Sequence, residues 1–337
     1  MKKAFISGIT GQDGAYLAQL LLEKGYEVHG GVRRISQPET VRLEQVGVLK
    51  DVTLHELDLS EMMNIFRLIR DGQYDEFYNL AAQSFVGSSW DQPIYAADVN
   101  GVAVARILES IRSVSPHTRF YQASTSEMYG LVQAVPQSET TRFYPRSPYG
   151  VAKVYGHYIT VNFRESFDMH ASCGILFNHE SPLRGKEFVT RKITMALAKM
   201  ARGGSDTLVL GNLEAQRDWG FAGDYVEGMW RMLQQDSADD YVLATGVTTP
   251  IRDFVNFAAA ELGFDIEWTG EGIDEVGTDR KTGKKLVEIS EKFFRPAEVD
   301  LLIGDATKAR TALGWEPKVD VRALANMMAK ADYDALG

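Results

Sequence analysis

The chain has 337 residues, 45% of them hydrophobic and 24% charged, an ordinary globular composition that excludes disordered, collagen-like and mucin-like chains. Its 36 Lys and Arg against 46 Asp and Glu leave a formal charge of −10. That balance repels nucleic acid and anionic lipid and excludes both as partners, while local arginines and backbone N–H groups can still hold a phosphorylated ligand. The single cysteine, Cys173, excludes an internal disulfide and a cysteine-rich metal centre. Within the apolar run HASCGILF it reads as a buried thiol rather than a nucleophile, and no metal site is expected.

Lys2 and Lys3 precede only a short apolar run that ends at Gly8, so no export signal is expected. No stretch approaches the ~18 apolar residues of a membrane span. The expectation is a cytoplasmic protein with no membrane contact. At roughly 150 residues per domain, the length suggests about two structural units.

In chain order, the first half alternates β-rich runs with helical patterns. The strands are AFISGIT (4–10), YEVHGGVRR (26–34), VTLHELDL (52–59), EFYNLAA (76–82), RFYQAST (119–125) and ASCGILF (171–177). Several are apolar throughout, as in a parallel sheet covered on both faces. Between them, AYLAQLLLEKG (15–25), SEMMNIFRLIRDG (60–72) and GVAVARILESIRSV (101–114) carry apolar residues at helical spacing. Repeated strand–helix units predict an α/β fold with a doubly wound parallel sheet. After about residue 180 the rhythm changes. KEFVTRKITMALAKMARGG (186–204) reads as a helix ending in Gly203-Gly204, TLVLGN (207–212) as a strand, and DYVEGMWRMLQQ (224–235) and IRDFVNFAAAELG (251–263) as amphipathic helices. Thr282-Gly283-Lys284 suggests a hairpin turn inside a polar stretch. The expected division is a dinucleotide-binding unit over residues 1–180 and a smaller substrate lobe over 181–337. Some later segments are expected to return to the first unit, and the lobe to cover the carboxyl ends of the strands.

Gly8-Ile9-Thr10-Gly11-Gln12-Asp13-Gly14 places three glycines directly after the first strand and at the opening of the first helix. Glycine permits the tight turn and the close approach of backbone to a pyrophosphate whose charge sits at the helix N-terminus. In this context the motif predicts a bound dinucleotide. The second strand ends in Val32-Arg33-Arg34, without the acidic residue that an NAD site uses for the ribose, so NADP is favoured.

Tyr149-Gly150-Val151-Ala152-Lys153 puts a phenol and an ammonium on one face of a helix that Pro148 suits as a start. A lysine there stabilises a phenolate and lowers its pKa, so the tyrosine can take a proton from a hydroxyl as hydride leaves the same carbon. Ser124-Thr125, ending the fifth strand, can hold the substrate oxygen.

Together these features resemble the extended short-chain dehydrogenase/reductase superfamily, with its Rossmann-type fold. Ser124-Thr125-Ser126-Glu127-Met128-Tyr129-Gly130 is similar to the sugar-nucleotide 4,6-dehydratases, whose simpler epimerase and reductase relatives lack the glutamate. Gly174 through Pro182, Arg184-Gly185, Phe188 through Lys192, Arg217 through Gly220, Phe294 through Asp300 and Leu313-Gly314-Trp315 resemble the GDP-mannose 4,6-dehydratase branch, and the likeness runs from residue 1 to about 320. Ser126 departs from the aspartate that deoxythymidine-diphospho-glucose dehydratases use to protonate the leaving hydroxyl, but it matches the GDP-mannose branch.

The resemblance implies that NADP takes hydride from C4 of GDP-mannose, with Tyr149 as base, Lys153 as its electrostatic partner and Thr125 on the C4 oxygen. Glu127 then removes the C5 proton, water leaves from C6 and hydride returns there, giving GDP-4-dehydro-6-deoxy-mannose and restoring the cofactor. Ser126 belongs to the same catalytic triplet, and Glu127 is the economical donor to the leaving hydroxyl. Carried over as cofactor positions are Gly8 through Gly14, Arg33, Asp58, Leu59, Leu80, Ala81, Ala82, Gln83, Ser84, Tyr95, Lys153, His179 and Arg184. Asp58 would accept from the adenine amine, or read blandly as a helix N-cap. Substrate positions are Ser84, Asn178, Val189, Lys192, Arg217, Arg295 and Glu298, with Arg217 and Arg295 offering the fork geometry a diphosphate needs. Without the resemblance, Arg217 and Asp218 read as a surface ion pair. The resemblance also implies a homotetramer, in which Arg34 through Arg42 reaches a neighbouring subunit near the cofactor. The rival readings are a reductase or epimerase, which Glu127 opposes, and a non-catalytic dinucleotide sensor, which the intact Tyr149, Lys153, Thr125 and Glu127 oppose.

Overall fold

The computed structural model describes residues 1–36, 39–293 and 302–337. Its first half runs β1 (Lys3–Ser7), α1 (Gln12–Glu23), β2 (Glu27–Val32), α2 (Val41–Gln45), β3 (Val52–Glu56), α3 (Met62–Gly72), β4 (Glu76–Asn79), α4 (Ser88–Asp91), α5 (Pro93–Ala97), α6 (Ala103–Val114), β5 (Arg119–Thr125), α7 (Pro148–Phe167) and β6 (Ala171–Leu176). The later half adds β7 (Asn178–Glu180), α8 (Val189–Ala201), β8 (Leu208–Leu210), β9 (Gln216–Phe221), α9 (Ala222–Gln234), β10 (Asp240–Leu243), β11 (Thr248–Pro250), α10 (Ile251–Glu261), β12 (Ile266–Thr269), β13 (Val276–Asp279), β14 (Lys285–Ile289), α11 (Thr307–Leu313) and α12 (Val321–Asp334).

Seven strands form the main sheet in the order β10-β6-β5-β4-β1-β2-β3, and every neighbouring pair is parallel. All residues of β4 and β6 are buried, because helices cover both faces. On one face α1 and α9 bury Leu17, Leu21, Val226 and Met229, with Trp315 beneath them. On the other, Ile65 and Ile69 of α3 meet Ile107 and Ile111 of α6 over Phe77 and Phe120. The expected doubly wound sheet is thus present, and all six strands expected in the first half form.

Strand β10 was not read from the sequence. It comes from the later half, pairs Asp240 with Cys173 and completes the sheet, while α9 packs against α1. Helices α8, α10 and α12 build a second core, where Leu197, Phe254, Leu324 and Met328 are fully buried, while α11 packs back onto α9 and β10. The sheets β12-β13-β14-β8 and β11-β9-β7 belong to this later half. Gly283, at φ +70°, turns the chain between β13 and β14 as Thr282-Gly283-Lys284 suggested. Among the described residues, no helix is long and apolar enough to cross a membrane.

From β1 the chain winds outward through β2 and β3, then returns to β4 on the other side of β1. Such a reversal opens a crevice outside the carboxyl ends of the strands, where ligands bind in this architecture.

Candidate active site

A cavity of about 1000 Å³ fills that crevice, at the upper end of the usual range for small-molecule sites. One end is lined by the glycine turn after β1. Gly8 sits at φ +72°, and a Cβ there would lie 2.8 Å from the Ala81 Cα. At Gly14 a Cβ would fall 2.4 Å from the Gly8 carbonyl oxygen. Only glycine lets the turn close this tightly and leaves α1 opening onto the cavity, a cradle that fits a pyrophosphate.

Side chains brace this turn. The Ser7 hydroxyl donates to Asn79 Oδ1 (2.7 Å) and accepts from the Leu80 and Ala81 amides, both at 3.1 Å. His179 faces Asp13 at 2.8 Å through Nε2 and the Phe177 carbonyl at 2.7 Å through Nδ1. Both ring nitrogens therefore meet acceptors, which suits an imidazolium. Burial lowers the His179 pKa, but the Asp13 charge and hydrogen bond outweigh it and the net shift is upward. Asp13 shifts downward, as His179 and Gln12 outweigh the burial that raises it. Gln12 reaches the His179 carbonyl (3.1 Å) and accepts from Ser181 (2.8 Å).

Farther along, Arg33 donates to the Tyr95 hydroxyl at 2.9 Å. Asp58 accepts from the Ser60 amide (2.9 Å) and hydroxyl (2.6 Å). This is a local turn bond. It does not cap α3, whose N-cap residue is Glu61.

The other end of the cavity lies where β5 meets α7. Ser147 caps α7 by accepting from the Gly150 amide at 3.0 Å, and Pro148 starts the helix. This places Tyr149 and Lys153, 7% and 4% exposed, against the end of β5. Lys153 donates to the Ala123 carbonyl at 2.9 Å, and its ammonium lies 5.8 Å from the Tyr149 ring centre. Burial lowers the Lys153 pKa to about 8, which still leaves it largely charged at neutral pH. Burial, helped by the Glu127 charge, also raises the Tyr149 phenol well above its ordinary value, against a hydrogen bond from Thr125 and the charge of Arg184. The lowering of the phenol expected from the sequence is therefore absent in the protein's own groups, where desolvation dominates.

Glu127 sits in the short turn after β5, where its amide reaches Thr125 Oγ1 at 3.3 Å. Burial raises its carboxyl pKa and the Arg217 charge opposes the rise. Asp218, beside Arg217 on β9, is 1% exposed and accepts from Thr245 through amide (2.9 Å) and hydroxyl (2.5 Å), and from the Gly246 amide (2.9 Å). The surface ion-pair reading of these two residues therefore fails. Asp218 is an internal anchor, and Arg217 faces the cavity.

Thr125, Glu127, Tyr149 and Lys153 all line the cavity. So do Gly8, Thr10, Gly11, Gln12, Asp13, Gly14, Arg33, Asp58, Leu59, Leu80 through Ser84, Tyr95, His179 and Arg184, together with Asn178, Val189 and Arg217. Ile9 and Ser126 are buried behind the lining, at 0% and 2% exposure. Lys192 stands apart, its ammonium 2.6 Å from the Val209 carbonyl and 4.3 Å from the Phe293 ring centre. Arg295 and Glu298, with the rest of the Phe294–Asp300 block, lie outside the described residues.

Among the lining residues, Arg42, Glu180 and Phe188 lay within blocks named from the sequence but were not assigned there as cofactor or substrate positions. Arg42 donates to the carbonyls of Leu183 (2.8 Å) and Thr10 (3.2 Å) of its own chain. Glu180 holds Arg184 at 3.0 Å and accepts from Thr190 at 2.5 Å. The Arg184 guanidinium in turn lies 3.5 Å from the centre of the Phe188 ring.

Residues 5–328 match the family model described as GDP-mannose 4,6 dehydratase. A protein of Sinorhizobium fredii named GDP-mannose 4,6-dehydratase is 55% identical, over 99% of this chain and 97% of its own. Two solved structures share the fold at low identity. One is dTDP-glucose 4,6-dehydratase from Bacillus anthracis in complex with NAD (TM-score 0.80, 17% identity, 98% of this chain and 96% of that one). The other is RMD from Pseudomonas aeruginosa complexed with NADPH (TM-score 0.77, 18% identity, 99% and 100%). A family match across nearly the whole sequence, on a chain that gathers Glu127, Tyr149 and Lys153 in one cavity, has one consequence: the chain belongs to the GDP-mannose 4,6-dehydratase family.

Proposed function

We propose that this enzyme converts GDP-α-D-mannose to GDP-4-dehydro-6-deoxy-α-D-mannose and water, using tightly held NADP that is regenerated in each turnover. The observation that carries the reading is Glu127, a half-buried carboxyl that lines the same cavity as Thr125, Tyr149 and Lys153. A reductase or epimerase needs only the last three. A bound nicotinamide supplies a reversible store for one hydride.

The chain's own residues do the rest. Tyr149 takes the proton of the C4 hydroxyl, and Thr125 holds that oxygen. Lys153, charged and anchored on the Ala123 carbonyl, favours the phenolate. Once C4 is a ketone, the C5 proton is acidic enough for Glu127 to remove. Glu127 then returns that proton to the departing C6 hydroxyl, which leaves as water. Hydride comes back to C6, and the proton Tyr149 took balances the one C5 regains. Arg217, lining the cavity beside Glu127, suits the substrate diphosphate.

NADP over NAD is supported by Arg33 just beyond β2, where an NAD site would place a carboxylate. We assign the assembly as a homotetramer. Trp90, Ile94, Val151, Tyr155 and Tyr158 form a strongly exposed apolar set on α4, α5 and α7, which suits contact with a second copy. The bonds of Arg42 to its own chain limit what the 34–42 segment can offer a neighbour. A single buried, unpaired cysteine suits the reducing cytoplasm.

Incubation of the purified protein with GDP-mannose and no added reductant tests the assignment. Loss of one water with a ketone at C4, identified by mass spectrometry and NMR, is the expected result. Unchanged substrate would overturn it. Light scattering at micromolar concentration tests the assembly, and a monomeric mass would refute it.

A further inference from the structure

Behind the catalytic pair, α7 carries a second buried polar set. His157 follows Lys153 by one helical turn and is 4% exposed. Its Nδ1 lies 3.2 Å from Ser124 Oγ, and its Nε2 lies 3.8 Å from Asp240 Oδ2. Asp240 accepts two hydrogen bonds from Arg164, at 2.9 and 3.0 Å, about two turns further along the same helix. Cys173, on β6 between the strands of Ser124 and Asp240, places its thiol 3.8 Å from the His157 carbonyl.

His157, Cys173 and Asp240 have the composition of a metal site, with ligand atoms within 4.8 Å of one another. Two features oppose that reading. The Arg164 guanidinium already neutralises the carboxylate that a cation would need. Burial also pushes the Cys173 thiol well above its ordinary pKa, away from the thiolate a metal binds.

The same groups make a coherent polar line, with a hydrogen bond between Ser124 and His157 at one end and a longer electrostatic contact between His157 and Asp240 at the other. Burial lowers the His157 pKa, against the attraction of Asp240, so the ring is neutral at working pH. With a carboxylate on the Nε2 side the proton belongs there, and Nδ1 is left to accept from the Ser124 hydroxyl. Asp240 is itself fixed by Arg164, so its charge faces the Nε2 edge of the ring while Ser124 holds the Nδ1 edge. Ala123, Ser124 and Thr125 are consecutive at the end of β5. Lys153 binds the first through its carbonyl, His157 binds the second through its hydroxyl, and the third faces Tyr149.

We propose that His157 is a positioning residue for the dehydration: by holding Ser124 it fixes the three-residue strand end that sets Lys153 and Thr125 against Tyr149. The inference rests on the dehydratase reading above. It predicts that a loosened strand end slows the chemistry without weakening substrate capture, because Arg217 and the glycine turn lie on other elements. Misplacement of reacting groups by about 1 Å can cost roughly 10²-fold.

The test uses the intact protein after its dehydration of GDP-mannose has been established, so failure of the functional reading shows first and separately. His157→Leu should lower kcat by roughly 10-fold to 100-fold and leave KM for GDP-mannose within about twofold. His157→Asn, whose amide oxygen can still accept from Ser124, should restore most of the rate. His157→Gln, which extends past Ser124 toward Asp240, should not. Ser124 lines the cavity and its loss could act on substrate directly, so the decisive measurement is the double variant. If Ser124→Ala and His157→Leu act through one contact, their combination should be no slower than the slower single variant. The proposal is overturned if folded His157→Leu keeps the parental kcat, if only KM changes, or if the two losses multiply. Should His157→Leu fail to fold, Ser124→Ala and the Asn/Gln pair decide: parental kcat in Ser124→Ala, or equal rates for Asn and Gln, overturns it.

Discussion

Replacing Glu127 by glutamine should separate the oxidation at C4 from the elimination that follows. The amide keeps the length and hydrogen-bonding reach of the side chain but cannot accept the C5 proton. The backbone contact between the Glu127 amide and Thr125 Oγ1, 3.3 Å, does not depend on the carboxyl and should survive. Tyr149 and Lys153 stand on α7, a different element, so the first hydride transfer should persist within a few-fold. Loss of a general acid–base costs typically 10²–10⁴-fold, or about 2.7–5.4 kcal/mol of barrier at 1.36 kcal/mol per decade. The upper part of that range is expected, because one carboxyl is asked both to take the C5 proton and to protonate the departing hydroxyl. In a single-turnover absorbance experiment the variant should build up reduced nicotinamide beside a trapped 4-keto sugar, whereas the parent shows little. In heavy water the parental product should carry deuterium at C5, and hydride labelled at C4 should reappear at C6. Turnover of Glu127→Gln near the parental rate would refute the role, as would loss of the C4 label to solvent.

Three further outcomes follow from the geometry. Tyr149→Phe should abolish even the first hydride transfer, so that no reduced cofactor is seen on adding GDP-mannose; rapid reduction in that variant would remove Tyr149 as the base. Arg33→Asp should invert or abolish a preference for NADP⁺ over NAD⁺, since a fork that favours phosphate becomes a repulsion; equal parental affinities for the two, by calorimetry, would dismiss the preference. The third concerns pH. His179 is raised and Asp13 lowered by their mutual contact, with burial opposing both shifts. The histidine contribution to stability is complete below the ordinary pKa of about 6.5 and is lost as pH rises through the raised value; the aspartate contribution is complete above about 3.9 and is lost as pH falls through the lowered value. The melting temperature of Asp13→Asn should therefore fall furthest below the parent between about pH 4 and 6.5, and the gap should narrow at higher pH. A constant gap across the range would show that the pair is not charged.

The motifs that showed in the sequence are those whose chemistry depends on spacing along the chain. Three glycines at fixed offsets, a phenol and an ammonium four residues apart, and a glutamate two residues after Thr125 each lie within a single turn or helix. Strand β10 shows the limit of such reading. Asp240–Leu243 is four residues long, follows an acidic turn, and has no alternation to distinguish it from loop; only its pairing with β6 makes it a strand. Arg42 and Asp218 were equally hidden, because their partners lie far off in sequence: Thr10 and Leu183 for one, Thr245 and Gly246 for the other. An isolated arginine or Arg-Asp pair carries no mark of whether it ends in water or in the interior.

The protonation states at the site expose a different limit. Spacing places Lys153 where it can favour a phenolate, and the helix does bring its ammonium within 5.8 Å of the Tyr149 ring centre. Spacing says nothing of desolvation, which acts on the two groups in opposite directions, raising the phenol and lowering the ammonium to about 8. Both effects favour the uncharged forms, so the depth that excludes water from the reaction also works against the base it needs. A phenolate in this pocket must draw on more positive charge than one lysine. Arg184 already contributes in that direction, and an oxidised nicotinamide ring carries another. If NADP⁺ supplies the missing charge, the apparent pKa for oxidation at C4 should lie well below that of the Tyr149 phenol titrated in cofactor-stripped protein. Equal values in the two titrations would mean that the protein alone tunes its base.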